Sequence, residues 1–213
     1  FASRNRPIVI RAQVTIPMNP RDQGNRGSCV AFSLAGIKGN LSNHLLSPEY
    51  AYLATVHRSP TWTPNAGLDV RIAIAATATG LPEDHHYPYQ QNEPGHPLPP
   101  LPSGFTLHGP NLTLLAADLD KIKQWLDLGR PVGVLVSTTQ SFMCPIEGVV
   151  TFETNVFPGR HAVVIVGYGH DDSGTAHYLI CNSWGVSWGV NGHAWVPHTY
   201  LTTHASCIYG ADR

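Results

Sequence analysis

Asp22-Gln23-Gly24-Asn25-Arg26-Gly27-Ser28-Cys29-Val30-Ala31-Phe32-Ser33 is the most informative stretch of this chain. A glycine-rich turn runs straight into an apolar helical pattern. Val30, Ala31, Leu34, Ile37 and Leu41 recur at helical spacing behind Ser28, a good N-cap residue. Cys29 is therefore expected to be the first residue of a helix. That position presents unpaired N–H groups and the positive end of the helix dipole. A thiol there is acidified, to a pKa of roughly 3.5–7.5, and the thiolate is the reactive form. An isolated cysteine is more often an inert small hydrophobe, so its surroundings decide the reading.

A nucleophilic thiolate needs a base and counter-ion. His161 opens the apolar run His161-Ala162-Val163-Val164-Ile165-Val166-Gly167-Tyr168-Gly169, which places its ring at the edge of a strand. A third group must orient the imidazole. Asn182, in Cys181-Asn182-Ser183-Trp184-Gly185-Val186-Ser187-Trp188-Gly189, offers an amide oxygen, with Trp184 able to roof that bond. His161 follows Cys29 by 132 residues and Asn182 follows it by 153. Papain-type enzymes place their His and Asn roughly 130–150 residues after the cysteine.

On these residues the chain resembles the papain family of cysteine peptidases, in a divergent form of bacterial type. The resemblance rests on Gln23-Gly24, Gly27-Ser28-Cys29, Ala31-Phe32-Ser33, His161-Ala162-Val163, Gly167-Tyr168-Gly169 and Asn182-Ser183-Trp184-Gly185. Weaker matches are Leu46-Ser47-Pro48-Glu49, Gly80-Leu81-Pro82-Glu83, Tyr87-Pro88-Tyr89 and Gly129-Arg130-Pro131-Val132. They run in family order from Pro17 to Tyr209. The resemblance implies an α+β, papain-like fold of two lobes. A helical left lobe over 12–105 faces an antiparallel β-barrel right lobe over 106–213, with the active site in the cleft between them. It implies Cys29 as nucleophile, His161 as base, Asn182 as orienter and Gln23 as side-chain oxyanion donor beside the Cys29 N–H. It also implies substrate contacts at Gly67, Leu68, Asp69, Leu135, Arg160 and Trp184. Leu68 and Leu135 suggest an apolar specificity pocket, whereas Asp69 could invite a basic residue.

The chain departs from the family pattern in several places. Arg26 stands where a disulfide cysteine is usual, and the partner near Asn65 is missing too. Val30 replaces an aromatic residue after the nucleophile. Cys207 matches a family disulfide cysteine whose usual partner is absent, leaving Cys144 as a substitute candidate.

Composition agrees with a globular enzyme. The 213 residues carry 13 Lys and Arg against 14 Asp and Glu, a formal net charge of −1, with 42% hydrophobic and 13% charged residues. This excludes disorder and argues against nucleic acid as a partner, since phosphate binding needs clustered positive charge. No apolar run reaches the length of a membrane span. Four cysteines are too few for a disulfide scaffold and leave the compartment open.

Further helices are expected from Ser47-Pro48-Glu49, over Leu68 to Thr79 and around Ala117–Leu128. Strands are expected at Val132–Val136, Val149–Phe152, His161–Tyr168, Tyr178–Asn182 and Gly192–Val196. The proline-rich stretch 88–110 reads as a strap between lobes. No internal repeat is visible.

The reaction implied is peptide hydrolysis through a thioester on Cys29, by a monomer acting on an extended polypeptide. A pro-segment or protein inhibitor is expected to occupy the same cleft. A thiol acyl transferase or peptide ligase shares the thioester, and an inactive peptide-binding module shares the scaffold. No cofactor is expected and no metal: His85-His86 and His204-Ala205-Ser206-Cys207 lack the partner motifs of a zinc site and read as surface histidines in a histidine-rich chain.

Overall fold

A computed structural model describes residues 8–211. The order is β1 (Ile10–Thr15), α1 (Cys29–Ser42), α2 (Pro48–Arg58), α3 (Val70–Ala76), β2 (Thr113–Leu115), α4 (Leu119–Asp127) and β3 (Val132–Val136). There follow α5 (Gln140–Met143), β4 (His161–Asp171), β5 (Ala176–Cys181), β6 (His193–Pro197), α6 (His198–His204) and β7 (Ala205–Gly210).

Local chemistry explains the helix boundaries. α1 begins at Cys29, as expected, and is buried almost all round, from Val30 to Gly39. It ends at Asn43, which adopts the left-handed conformation with φ 57° and closes the last turn. α2 starts where the Ser47 hydroxyl accepts from the Tyr50 N–H and Pro48 fills the first turn. α3 is shorter than its periodicity suggests. Asp69 caps it, accepting from Arg71 N and Ile72 N, and Thr77 turns its hydroxyl back onto the Ala73 carbonyl at the far end. α4 is likewise trimmed, between the Asp118 cap and a left-handed Gly129 with φ 71°.

All strand pairs are antiparallel, in the order β2-β7-β3-β4-β5-β6, with β1 added to β4. β4 is the centre. Its first half pairs with β3, from Val136↔His161 to Val132↔Ile165, and its second half with β1, from Thr15↔Gly167 to Ile10↔Asp171. Gly167 allows the switch: a Cβ there would meet the Val14 carbonyl oxygen at 2.4 Å. Among the described residues the sheet stays open, so the barrel expected for the second lobe is corrected to an open antiparallel sheet. β1 joins this sheet although it precedes the helices. The expected strand at Val149–Phe152 is a loop held by single bridges from Val149 to Ile146 and Trp195.

Two apolar clusters share α1. Val30, Leu34 and Ile37 pack with β3, β4 and β5, whereas Ala31 and Ala35 pack with Ala51, Tyr52 and Val56 of α2 and with Leu46 and Leu81. One helix therefore belongs to both the helical layer and the sheet, and its first residue emerges where they meet.

Candidate active site

Cys29 heads α1 with an unusual cap. The Ser28 hydroxyl makes no capping bond; it pairs with the Tyr89 hydroxyl at 2.8 Å, and Tyr89 donates in turn to the Gln23 carbonyl. The first-turn N–H groups are thus left to face the sulfur, and those of Val30 and Cys29 favour its charged form. The backbone of Ala162, the second residue of β4, acts on the sulfur in the same direction. The sulfur therefore lies directly against the strand that begins with His161.

β-Register places the other two groups. His161 pairs with Val136 on one edge of β4, while β5 pairs only from Val164↔Cys181 onward. Asn182 follows Cys181, so it leaves β5 beside the free end of β4. Its Oδ1 accepts from His161 Nε2 at 2.6 Å and from Ser183 N at 2.8 Å, which fixes the amide orientation. Asn182 Nδ2 is buried without a partner. The Trp184 ring stacks on the imidazole, centroids 4.3 Å apart and planes at 27°. Phe142 meets both rings edge-on and accepts from Trp188 Nε1 through its carbonyl. This aromatic wall keeps water from the His161–Asn182 bond.

Gln23 is 6% exposed and held at both ends of its amide. Its Nε2 donates to the Arg26 carbonyl at 2.7 Å, and its Oε1 accepts from the Ser183 hydroxyl at 2.6 Å. Backbone bonds Gln23 N to Ser183 O and Gly185 N to Arg21 O zip the two loops together. Ser183, which the sequence marks only as part of the Asn182 motif, thus fixes the Gln23 amide.

Electrostatics oppose both charges of a thiolate–imidazolium pair. Burial pushes the Cys29 thiol up, against its backbone hydrogen bonds, and pushes His161 down to about 4 despite the Asn182 bond. Acidification by the helix end alone, as expected from sequence, is therefore outweighed. Such a pair can persist only through mutual attraction across a short gap, and then titrates as a unit.

Arg26 is not merely a lost cysteine. It is 3% exposed, and its guanidinium pairs with Glu49 at 2.6 Å and with Glu93 at 3.6 Å. It also donates to the Gln90 carbonyl and lies over the Tyr52 ring at 4.2 Å. Pairing with Glu49 raises its pKa although burial works the other way. Glu93 accepts from Tyr52 Oη at 2.6 Å and from Asn65 N at 3.1 Å. The two positions usually joined by a disulfide are thus joined through Glu93 by charge and hydrogen bonds.

Among the residues expected to touch substrate, Gly67 lies beside the turn that precedes Cys29. A Cβ on Gly27 would meet Gly67 N at 2.8 Å and its Cα at 2.9 Å, so only glycine allows this approach. Leu68 and Leu135 are half-buried, Arg160 is exposed, and the Asp69 carboxylate is engaged as the α3 cap. All four cysteines are free, so the Cys144–Cys207 bridge is not formed. His204 Nε2 donates to the Glu153 carbonyl at 2.7 Å.

The family profile described as "Papain family cysteine protease" matches residues 64–207. The chain is 30% identical over 179 residues to a cathepsin L-like proteinase of Fasciola hepatica, covering 81% of this chain and 54% of that protein. It is 31% identical over 193 residues to the oryzain gamma chain of Oryza sativa subsp. japonica, covering 81% and 50%. The chain thus spans about half the length of the curated relatives it matches. Among solved structures, xylellain, a cysteine protease from Xylella fastidiosa, superposes with TM-score 0.75 at 22% identity, covering 96% of this chain and 88% of that one. The bromelain protease of Ananas comosus in complex with E64 superposes with TM-score 0.71 at 17% identity, covering 92% and 94%. The profile match, together with the shared fold, shows that this chain belongs to the papain family of cysteine proteases.

Proposed function

We propose that the chain hydrolyses peptide bonds through a thioester formed on Cys29. The carrying observation is the roofed His161–Asn182 bond at the start of β4, with the Cys29 sulfur against the next backbone N–H. His161 draws the thiol proton as the sulfur attacks the substrate carbonyl, and returns it to the leaving amine. Asn182 holds the ring in the required tautomer. One Gln23 Nε2 hydrogen is used by Arg26, leaving the second, with the Cys29 N–H, for the developing oxyanion. Water activated by His161 then releases the acid.

The substrate is an extended polypeptide. Its backbone lies along Asn65-Ala66-Gly67, and Leu68 and Leu135 accept an apolar side chain two positions before the cut. Arg160 and Trp184 border the far side of the cleft. Asp69 is occupied by Arg71 N and Ile72 N, which favours the apolar preference over a basic one.

E64 labelling followed by peptide mapping tests the assignment. A single adduct on Cys29, with parallel loss of peptidase activity, is expected. Labelling only at exposed Cys144, or activity surviving full modification of Cys29, overturns it.

A further inference from the structure

About one helix length from the active site, three segments meet in a small sheet. Leu81 pairs with His108 through both backbone bonds, 2.9 and 2.8 Å, and Glu83 bridges to Leu46. Ser47 N to Pro82 O and Asp84 N to Leu45 O complete the frame. His44 enters it just after the left-handed Asn43, its N–H bound to the Gly39 carbonyl at the end of α1. Each segment contributes one donor side chain: His44, Glu83 and His108.

These side chains converge. His44 Nδ1 lies 3.6 Å and His108 Nε2 3.8 Å from the same Glu83 oxygen, and all three ligand atoms lie within 4.8 Å of one another. His85 Nδ1 stands 3.6 Å from the other Glu83 oxygen. The separations are too long for hydrogen bonds. They are close to the edge of a tetrahedron about a zinc-sized ion, about 3.3–3.4 Å for ligand bonds near 2.0–2.1 Å. The His44 and His108 rings lie side by side, centroids 3.8 Å apart and planes at 28°. The side chains are partly exposed, at 34% for His44, 34% for Glu83 and 22% for His108, so an ion can reach them.

The geometry points to a binding site for a borderline divalent cation of the zinc class, formed by His44, Glu83 and His108, with water as fourth ligand. Two nitrogens and one carboxylate select zinc, cobalt, nickel or copper over calcium and magnesium, which take oxygen ligands. α1 has 14 residues, about 21 Å at its rise per residue, and separates this site from Cys29. The ion takes no part in peptide cleavage; it clips the end of α1, the 81–84 segment and the end of the proline-rich strap at His108 together. Neither histidine pair weighed from sequence forms it, because the ligands come from three distant segments.

The test removes the competing catalytic thiol. Metal-stripped Cys29→Ala protein is titrated with zinc by calorimetry, with cobalt(II) absorption as a second readout. The site predicts one equivalent of zinc, a tetrahedral cobalt spectrum without thiolate charge transfer, and a melting temperature raised by about 5–10 °C at a hundredfold excess over Kd. Adding His44→Ala and His108→Ala abolishes all three while circular dichroism stays unchanged. Should that variant fail to fold, Glu83→Gln must still weaken zinc binding at least tenfold. Absence of stoichiometric binding, a thiolate band, or binding that survives the substitutions overturns the site.

Discussion

Arg26→Met tests whether a buried ion network has taken over the work of a covalent cross-link. Methionine fills similar volume but leaves Glu49, with a side chain 6% exposed, and Glu93, 15% exposed, without their cation. Removing one partner of a buried pair costs about 3–5 kcal/mol, because the other charge stays desolvated. For a domain of this size that corresponds to a fall in melting temperature of about 6–20 °C. Glu49→Gln in the same background removes the stranded charge and should recover part of the loss. Catalysis should suffer as well. The Arg26 carbonyl accepts from Gln23 Nε2 at 2.7 Å and from Ser28 N at 2.8 Å, so a loosened turn misplaces the proposed oxyanion donor. Asn65 hangs on Glu93 and should loosen the strand proposed to bind substrate. Thermal denaturation and steady-state kinetics on wild type, both single variants and the double variant read these effects. The reasoning is refuted if Arg26→Met lies within about 1 kcal/mol of wild type and the double variant gains nothing over it.

Three further outcomes follow from the same geometry. Gln23→Ala should lower kcat by about 10²–10³ while the fold is kept, with a melting temperature only a few degrees lower from the two lost bonds, and a fully active variant contradicts the oxyanion role. Gly27→Ala should push the nucleophile turn off Gly67, raising KM for peptides more than for small esters; equal effects on both would argue against the shared backbone contact. Lys38 is fully buried, with the Pro110 carbonyl as partner, and burial lowers its pKa from 10.5 to about 8. Its folded value lies below its unfolded one, so the unfolded chain binds more protons between pH 8 and 10.5, and stability rises with pH across that window. Lys38→Met should be the more stable protein at pH 7, the buried charge costing about 3 kcal/mol and the lost hydrogen bond returning about 1 kcal/mol of it. Urea midpoints measured from pH 7 to 10.5 should converge, and a constant gap refutes the assignment.

The candidate site is legible in the sequence because each of its parts sits at an element boundary marked by local chemistry. Cys29 follows a glycine turn, His161 opens an apolar run, and Asn182 closes one. β1 escaped notice because it is an edge strand whose residues are mostly exposed, giving no burial pattern to read. β7 follows α6 without an intervening turn residue, so no punctuation marks the change from helix to strand. Val149–Phe152 reads as apolar yet finds only single bridges, as part of the loop from α5 to β4. The Ser28 hydroxyl was expected to cap its own helix; Tyr89, far along the chain, outcompetes the backbone for it. Arg26 showed in sequence only as a missing cysteine. Its partners Glu49 and Glu93 lie on α2 and the strap, and only folding brings them to it.

The central claim is that His161 sustains a thiolate on Cys29 against a burial that opposes both charges. Alkylation of Cys29 by iodoacetamide at pH 6, in wild type and in His161→Ala, measures this directly. An unassisted thiol with a pKa near 8.5 is about 0.3% ionised at that pH. The account predicts that His161→Ala lowers the alkylation rate by about 10² or more, with Asn182→Ala falling between the two. Equal rates in wild type and His161→Ala would contradict it.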